Sequence, residues 1–301
     1  MELLLQRIID GVGDGMIYGA IALALVLIYR VTGLVNFAQG EMAMFATFIV
    51  WWITRPDRFL GFIGDPQLRM AVGIFLGLGI GFVIGVVCER FIMRPFEKRP
   101  YIDQAMVTMG MYLGLSALAA YIFSVQPVAM ESVFSAGGIP LGGANLTWST
   151  IGLIVVFTSL SLLLRLLFTR TRFGLAMRAT TNNAVSAQLS GINVKRTLML
   201  GWGLASAVGG VAGAMLAPKL FLSPFMMQSV LLYAFAAAIL GGLDSVPGAI
   251  VGGILVGLTQ HLAGGYLFGS ELALAAALLL ILIVLLVRPQ GLFGKVKVER
   301  V

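Results

Sequence analysis

The sequence predicts an all-α, polytopic membrane protein of about eight to ten transmembrane helices, some of them broken or re-entrant. Three observations carry that prediction. Hydrophobic residues make up 59% of the chain and charged residues 11%, with a mean hydropathy of +0.99, an apolar excess that a water-facing surface could not hide. A hydrocarbon core ~30 Å thick needs about 20 apolar residues per helix, and runs of that order recur along the whole chain. The lysines and arginines behind the net charge of +7 sit in short segments between those runs, which is the positive-inside arrangement of membrane topology rather than a nucleic-acid patch.

Taken in order, the first span runs from Asp10 to Tyr29 and carries Gly11, Gly15 and Gly19 on one face. The second runs from Asn36 to Ile53, the third from Met70 to Met93 with Gly73, Gly77, Gly81 and Gly85, and the fourth from Gln104 to Ser124 with Gly110 and Gly114. Trp148 to Phe168 is the fifth, and Leu198 to Ala217, with Gly209 and Gly213, the sixth. Ser229 to Leu240 is too short to cross alone. With the Gly-Gly-Leu-Asp turn after it and the run from Pro247 to Ala263, which carries Gly248 and Gly252, it reads as a broken or re-entrant pair. Glu271 to Val287 is the last span. Glycines four apart make small-residue faces on which helices approach closely, since lipid gives no apolar drive for association.

Orientation follows from charge. Arg90, Arg94, Lys98 and Arg99, then Arg170, Arg172, Arg178, Lys195 and Arg196, then Arg288, Lys295, Lys297 and Arg300 mark three cytoplasmic segments, the last placing the carboxyl terminus in the cytoplasm. Val125 to Thr147 has no Lys or Arg and faces outward. Arg55, Arg58 and Arg69 break the rule in a loop that also carries Asp57 and Asp65 and is placed outside. An odd number of spans then puts the amino terminus outside. Met1 to Asp10 lacks the basic, apolar, small-residue order of a cleavable signal.

The residues exclude catalysis of the familiar kinds. The one histidine, His261, has no His-Glu-x-x-His partner and is expected to be an interfacial or buried hydrogen-bonding residue. The one cysteine, Cys88, lies in an apolar run as a packing residue. There is no Gly-x-Ser-x-Gly elbow and no phosphate-binding loop, so any ATP-driven work belongs to another chain.

Three segments carry chemistry. In Thr32 to Met42 polar groups separate two apolar runs. A charged group at a helix centre costs about 2.5–3.5 kcal/mol, so Glu41 must face protein, backbone or water. Asn36 can cap the helix that follows and Glu41 can sit in its first turn, where the dipole favours negative charge; the other reading is a gate or pathway role for Asn36, Gln39 and Glu41. From Thr169 to Thr197 a basic stretch with Arg172, Gly174 and Arg178 leads into a short helix, Asn183 to Ser190, capped by Asn182 or Asn183 and ended by Gly191. Val185 and Leu189 share a face, with Ala184 and Gln188 beside them, and the small residues favour docking into a protein over lying on lipid. From Leu240 to Gly248 glycine and proline free backbone groups near Asp244 and Ser245, as breaks that line transport pathways do.

At these places the chain resembles the permeases of the branched-chain amino acid, or LIV-type, ABC importers, and more specifically their shorter LivH-like subunit. The resemblance runs nearly end to end, on Gly33 to Glu41, Arg172 to Arg196, Leu240 to Gly253 and Arg288 to Leu292; Gln39 stands where the family often has histidine, which removes a titrating role there. It implies one transmembrane permease domain over residues 1–301 with an ABC importer permease fold in a bacterial inner membrane, working by alternating access, with branched-chain or other hydrophobic amino acids as cargo. Relatives carrying urea, amides or aromatic acids keep those alternatives open. The implied partners are a second homologous permease, two ATPases that hold the ATP and Mg, a periplasmic binding protein and membrane lipid. No cofactor and no nucleic acid is implied for this chain. The coupling loop falls at about 169–197, with Arg172, Gly174, Arg178, Asn183, Ala184, Gln188 and Gly191 facing the ATPase. An ion-coupled secondary transporter would need acidic groups in the membrane; of Asp14, Glu41, Asp103, Asp244 and Glu271 most fall at span ends. A scaffold subunit is the reading outside transport.

Overall fold

A computed structural model of the chain describes residues 2–266, 269 and 272–294. Its elements in order are α1 (Glu2–Thr32), α2 (Gln39–Thr54), α3 (Pro66–Val87), α4 (Tyr101–Ile122), β1 (Gly138–Leu141), β2 (Ala144–Thr147), α5 (Trp148–Arg170), α6 (Arg172–Asn182), α7 (Ala184–Leu189), α8 (Val194–Leu220), α9 (Met227–Gly241), α10 (Val246–Tyr266) and α11 (Ala273–Val287). Among the described residues, six helices are long and apolar enough to cross a membrane: α1, α3 with its extension to Phe96, α4, α5, α8 and α10. The runs read as α9 and α11 form shorter apolar helices. Glu271, Lys295, Lys297 and Arg300 lie outside the described residues.

Local chemistry sets the boundaries. Asp65 accepts from the Gln67 amide at 2.9 Å with Pro66 at the first helical position, which starts α3. That helix loosens into a π turn over Cys88–Met93 and a tight turn over Arg94–Phe96, and Pro100 precedes α4. Cys88 is free and buried, as packing predicts. Gly142 and Gly143 take positive φ (53° and 88°) in the two-residue turn of the β1–β2 hairpin, which pairs Leu141 with Ala144.

The chain forms two compact units. The first comprises Met1–Val26, Ala136–Ser161 and Leu232–Val301. Here Gly11, Gly15 and Gly19 bring α1 onto α10 so closely that a Cβ on Gly15 would stand 2.6 Å from the Ile254 Cα. Polar pairs close the same seam: Tyr18 donates to Gln260 Oε1 at 2.6 Å, His261 Nε2 meets Asp14 Oδ2 at 2.9 Å, and Arg7 donates to the His261 carbonyl at 3.1 Å. His261 is thus the hydrogen-bonding residue expected. Asp14 lies within α1, which begins at Glu2 and encloses it. The polar residues before Asp10 stay helical because they have partners in the hairpin: Gln6 Oε1 accepts from the Asn145 amide at 2.7 Å.

The second unit comprises Leu27–Ser135 and Leu162–Leu231. The glycine face of α3 meets α2 at Val50 and Thr54 and α8 at Trp202 and Ser206. Gly209 and Gly213 of α8 meet Ala43 and Thr47 of α2. Phe123 stacks on Phe48 with centroids 4.8 Å apart, fixing the end of α4. Gly110 and Gly114 depart from expectation, since nothing stands within 4 Å of a Cβ at either position. Four-residue spacing creates a smooth face but does not dictate that a helix covers it. Arg69, which broke the charge rule, is buried and donates to Glu131 at 2.8 Å, so it is neutralised within the fold.

Candidate functional site

The break between α1 and α2 lies in the second unit. Gly33, at φ +71°, turns the chain, and the extended residues after it are held by groups from elsewhere: the Val35 amide donates to the Tyr101 hydroxyl at 3.3 Å and the Phe37 amide to Thr108 Oγ1 at 3.3 Å. Asn36 Oδ1 accepts from the Ala38 amide at 3.0 Å and Asn36 Nδ2 donates to Gln39 Oε1 at 3.3 Å. Gln39 Nε2 in turn donates to the Ala205 carbonyl of α8 at 3.1 Å. Asn36 therefore does not cap α2. Ala38 occupies the cap position without a side-chain bond, and Asn36 braces the unwound segment two residues earlier.

Those bonds divide the predicted trio. The amides of Asn36 and Gln39 tie α2 to α8, whereas Glu41, in the first turn of α2, keeps both carboxyl oxygens without a hydrogen-bond partner although the residue is 0% exposed. The Ser116 hydroxyl of α4 is near enough to act on that carboxyl, yet it too closes no hydrogen bond. The sequence reading did not single out Ser116, Thr108 or Tyr101. The available signal was a set of hydroxyls on one otherwise apolar stretch.

In the first unit, Asp244 and Ser245 occupy the turn between α9 and α10. Ser245 Oγ accepts from the Gly248 amide at 3.1 Å, which gives Ser245 a capping duty at the start of α10. Gly241 and Gly248 let the two helices touch at the turn, and a segment after α11 straps it: the Leu292 amide donates to the Leu240 carbonyl at 2.8 Å and the Phe293 amide to the Gly241 carbonyl at 3.1 Å. Carbonyls freed by the break are thereby satisfied, as an apolar setting requires.

The basic segment folds as two helices. Thr171 Oγ1 accepts from the Gly174 amide at 3.2 Å and starts α6, and Gly174 lies against the Phe168 backbone where a side chain would not fit. Arg172 and Arg178 are exposed, with Arg178 Nε donating to the Gly174 carbonyl at 3.3 Å. Asn183 caps α7 by accepting from the Ser186 amide at 2.9 Å. Gly191, at φ +82°, ends it, and the Ile192 amide returns to the Ala187 carbonyl at 3.0 Å. Ala184 and Gln188 are exposed beside Val185 and Leu189, whose exposures are 67% and 85%. A one-sided apolar pair on a capped helix is a knob without a socket among the described residues.

A further cluster escaped the sequence reading. Glu89, in the π turn, takes a two-pronged ion pair from Arg94 (3.1 and 2.6 Å) with its own side chain 2% exposed. Beside it, burial raises the Glu97 carboxyl above the ordinary glutamate range, the Glu89 carboxylate adds to that, and Arg94 opposes it. Glu97 Oε1 is buried without a partner.

Residues 7–287 match the family described as branched-chain amino acid transport system, permease component. The high-affinity branched-chain amino acid transport system permease protein LivH of Salmonella typhimurium is 30% identical over 99% of this chain and 97% of its own length. LivH of Escherichia coli K12 gives the same figures, and the corresponding permease protein BraD of Pseudomonas aeruginosa is 28% identical over 99% and 98%. Among solved structures, PsaBC from Streptococcus pneumoniae in complex with Fab aligns over 96% of this chain and 93% of its own, with a TM-score of 0.43 and 12% identity.

Proposed function

Because the chain belongs to the family of branched-chain amino acid transport permease components, we propose that it is the membrane-spanning subunit of an ATP-driven importer moving branched-chain or other hydrophobic amino acids across the inner membrane by alternating access. The observation that carries this reading is the end-to-end similarity to permeases of that transport system. In this proposal the ATP and Mg sit on two partner ATPases, a second permease completes the pathway, a periplasmic protein delivers the cargo, and the carboxyl terminus is cytoplasmic.

The geometry supports a lever in the second unit. Val185 and Leu189 of α7 would fill a groove on an ATPase, with Arg172, Arg178 and Gln188 as polar surroundings. Ser190 to Asn193 is too short to absorb movement before α8 begins, and Asn193 fixes that start by accepting from the Arg196 amide at 3.0 Å. Displacement of α7 would thus travel along α8 to Ala205, where Gln39 grips the carbonyl, and so to α2 and Glu41. Asn36 and Gln39 are positioning residues in this scheme, and Glu41 is the group that lines the route. Asp244 and Ser245 shape the α9–α10 break as the corresponding element of the first unit.

Purification of the chain from its own membrane tests the proposal. Two ATPases are expected to accompany it, and their hydrolysis is expected to rise when a binding protein loaded with leucine, isoleucine or valine is added. Uptake by the chain alone on an ion gradient without ATP would refute it.

A further inference from the structure

The first turn of α2 places a carboxyl where neither water nor a counter-ion reaches it. Glu41 is 0% exposed and both its oxygens lack partners. The side chain acting on it is Ser116, itself buried with an unpartnered hydroxyl. Charged groups on the elements packed around α2 are engaged or remote: on α3, Arg69 pairs with Glu131, and beyond it Glu89 pairs with Arg94; on α4, Asp103 lies in the first turn; on α8, Lys195, Arg196 and Lys219 stand at the ends. Among the described residues, no charged group acts on Glu41.

Two effects compete over the state of that carboxyl. The amino-terminal end of α2 favours a negative charge by about 0.3–1 kcal/mol, and by up to ~2 kcal/mol when partly buried. Removing an unpaired carboxylate from water costs several kcal/mol, the larger effect, and a group so placed neutralises instead. The neutralising species must also fit. No water-sized probe touches either oxygen, so a hydrated ion or an ammonium group has no room, whereas a proton needs none.

We propose that Glu41 is a proton-binding site gated by the α2–α4 contact. In the closed contact the carboxyl is the neutral acid, buried beside the Ser116 hydroxyl. When the two helices part, water enters, the O–H bond breaks heterolytically and the proton passes to water, leaving the carboxylate solvated. The closed arrangement therefore holds one proton more than the open one. By linkage, the open-to-closed ratio rises by up to tenfold per pH unit from the point where the open form loses its proton, and levels off once the closed form has lost its own. This inference rests on burial and partners, not on the identity of the cargo.

The test is infrared spectroscopy of the full chain in lipid, titrated between about pH 5 and pH 9, since an exposed glutamate titrates near 4.3. At about pH 7 the wild type is expected to show a carboxylic-acid carbonyl band that Glu41→Gln lacks and that Ser116→Ala displaces, because the polar hydroxyl beside the acid is gone. A wild-type spectrum in which that band emerges only on acidification into the ordinary glutamate range would overturn the proposal. Should Glu41→Gln fail to insert, Ser116→Ala decides alone: a displaced band supports the site, and an unmoved one sinks it.

Discussion

Replacing Gly15 with alanine tests how the first unit is held together. The added Cβ would stand 2.6 Å from the Ile254 Cα, and backbone atoms cannot swing aside as a side chain can. Carbon atoms settle about 3.5–4.0 Å apart, so α1 and α10 must separate by about 1 Å at this level. A gap of that size forfeits roughly a quarter to a half of each dispersion contact along the seam, and overpacking of this kind costs about 1–3 kcal/mol. The same shift lengthens the 2.6 Å Tyr18–Gln260 bond and the 2.9 Å Asp14–His261 contact towards the limit of useful hydrogen-bond geometry. Alanine's better helix propensity returns about 1 kcal/mol, and the two weakened hydrogen bonds together cost about 1 kcal/mol, leaving a net loss of about 1–3 kcal/mol. Gly114→Ala is the matched control: the chemistry is identical, nothing stands within 4 Å, and a gain of up to about 1 kcal/mol is expected. Reversible unfolding of both variants in mixed micelles, followed by circular dichroism, reads the difference. Equal stability of the two would refute close backbone contact as what distinguishes the α1 glycines.

Other perturbations have equally definite outcomes. Arg94→Ala leaves Glu89 buried and unpaired and should cost about 3 kcal/mol, most of it recovered when Glu89→Gln is added, as thermal melts of the single and double variants would reveal. Glu97 supplies a pH dependence: its folded carboxyl is raised, first by burial and then by Glu89, so its contribution is complete below the unfolded value and disappears as pH rises through the folded one. The melting-temperature difference between wild type and Glu97→Gln should accordingly shrink in favour of the variant as pH climbs out of the carboxylate range; a difference that is flat with pH contradicts this. Gly191→Val forces a β-branched residue into φ +82°, a strain of about 1–2 kcal/mol at the end of α7, and should lower substrate-stimulated ATP hydrolysis while membrane insertion is kept. Leu189→Asp should release the ATPases during purification, and their unchanged recovery would count against α7 as the docking helix.

What could be read from the sequence was what a few neighbouring residues decide. Asn183 caps and Gly191 ends α7 through bonds spanning a handful of positions, so their roles were visible beforehand. Apolar length located the spans for the same reason. The role of Gln39 was hidden because its partner lies on α8, and with it that of Asn36, which bonds to Gln39; a cap was the nearest local substitute. Glycine spacing could not separate Gly15, pressed on a backbone, from Gly114, pressed on nothing. Glu41 was marked as costly, but whether that cost is relieved depended on every helix around it, and the missing partner became evident only in three dimensions.

The strap formed by Leu292 and Phe293 also orders events in time. Its donors are translated after both helices of the α9–α10 break, so the Leu240 and Gly241 carbonyls must wait for those amides to be made. Completion of the first unit is therefore a late step in biogenesis, and only a polypeptide synthesised as far as Phe293 can take it.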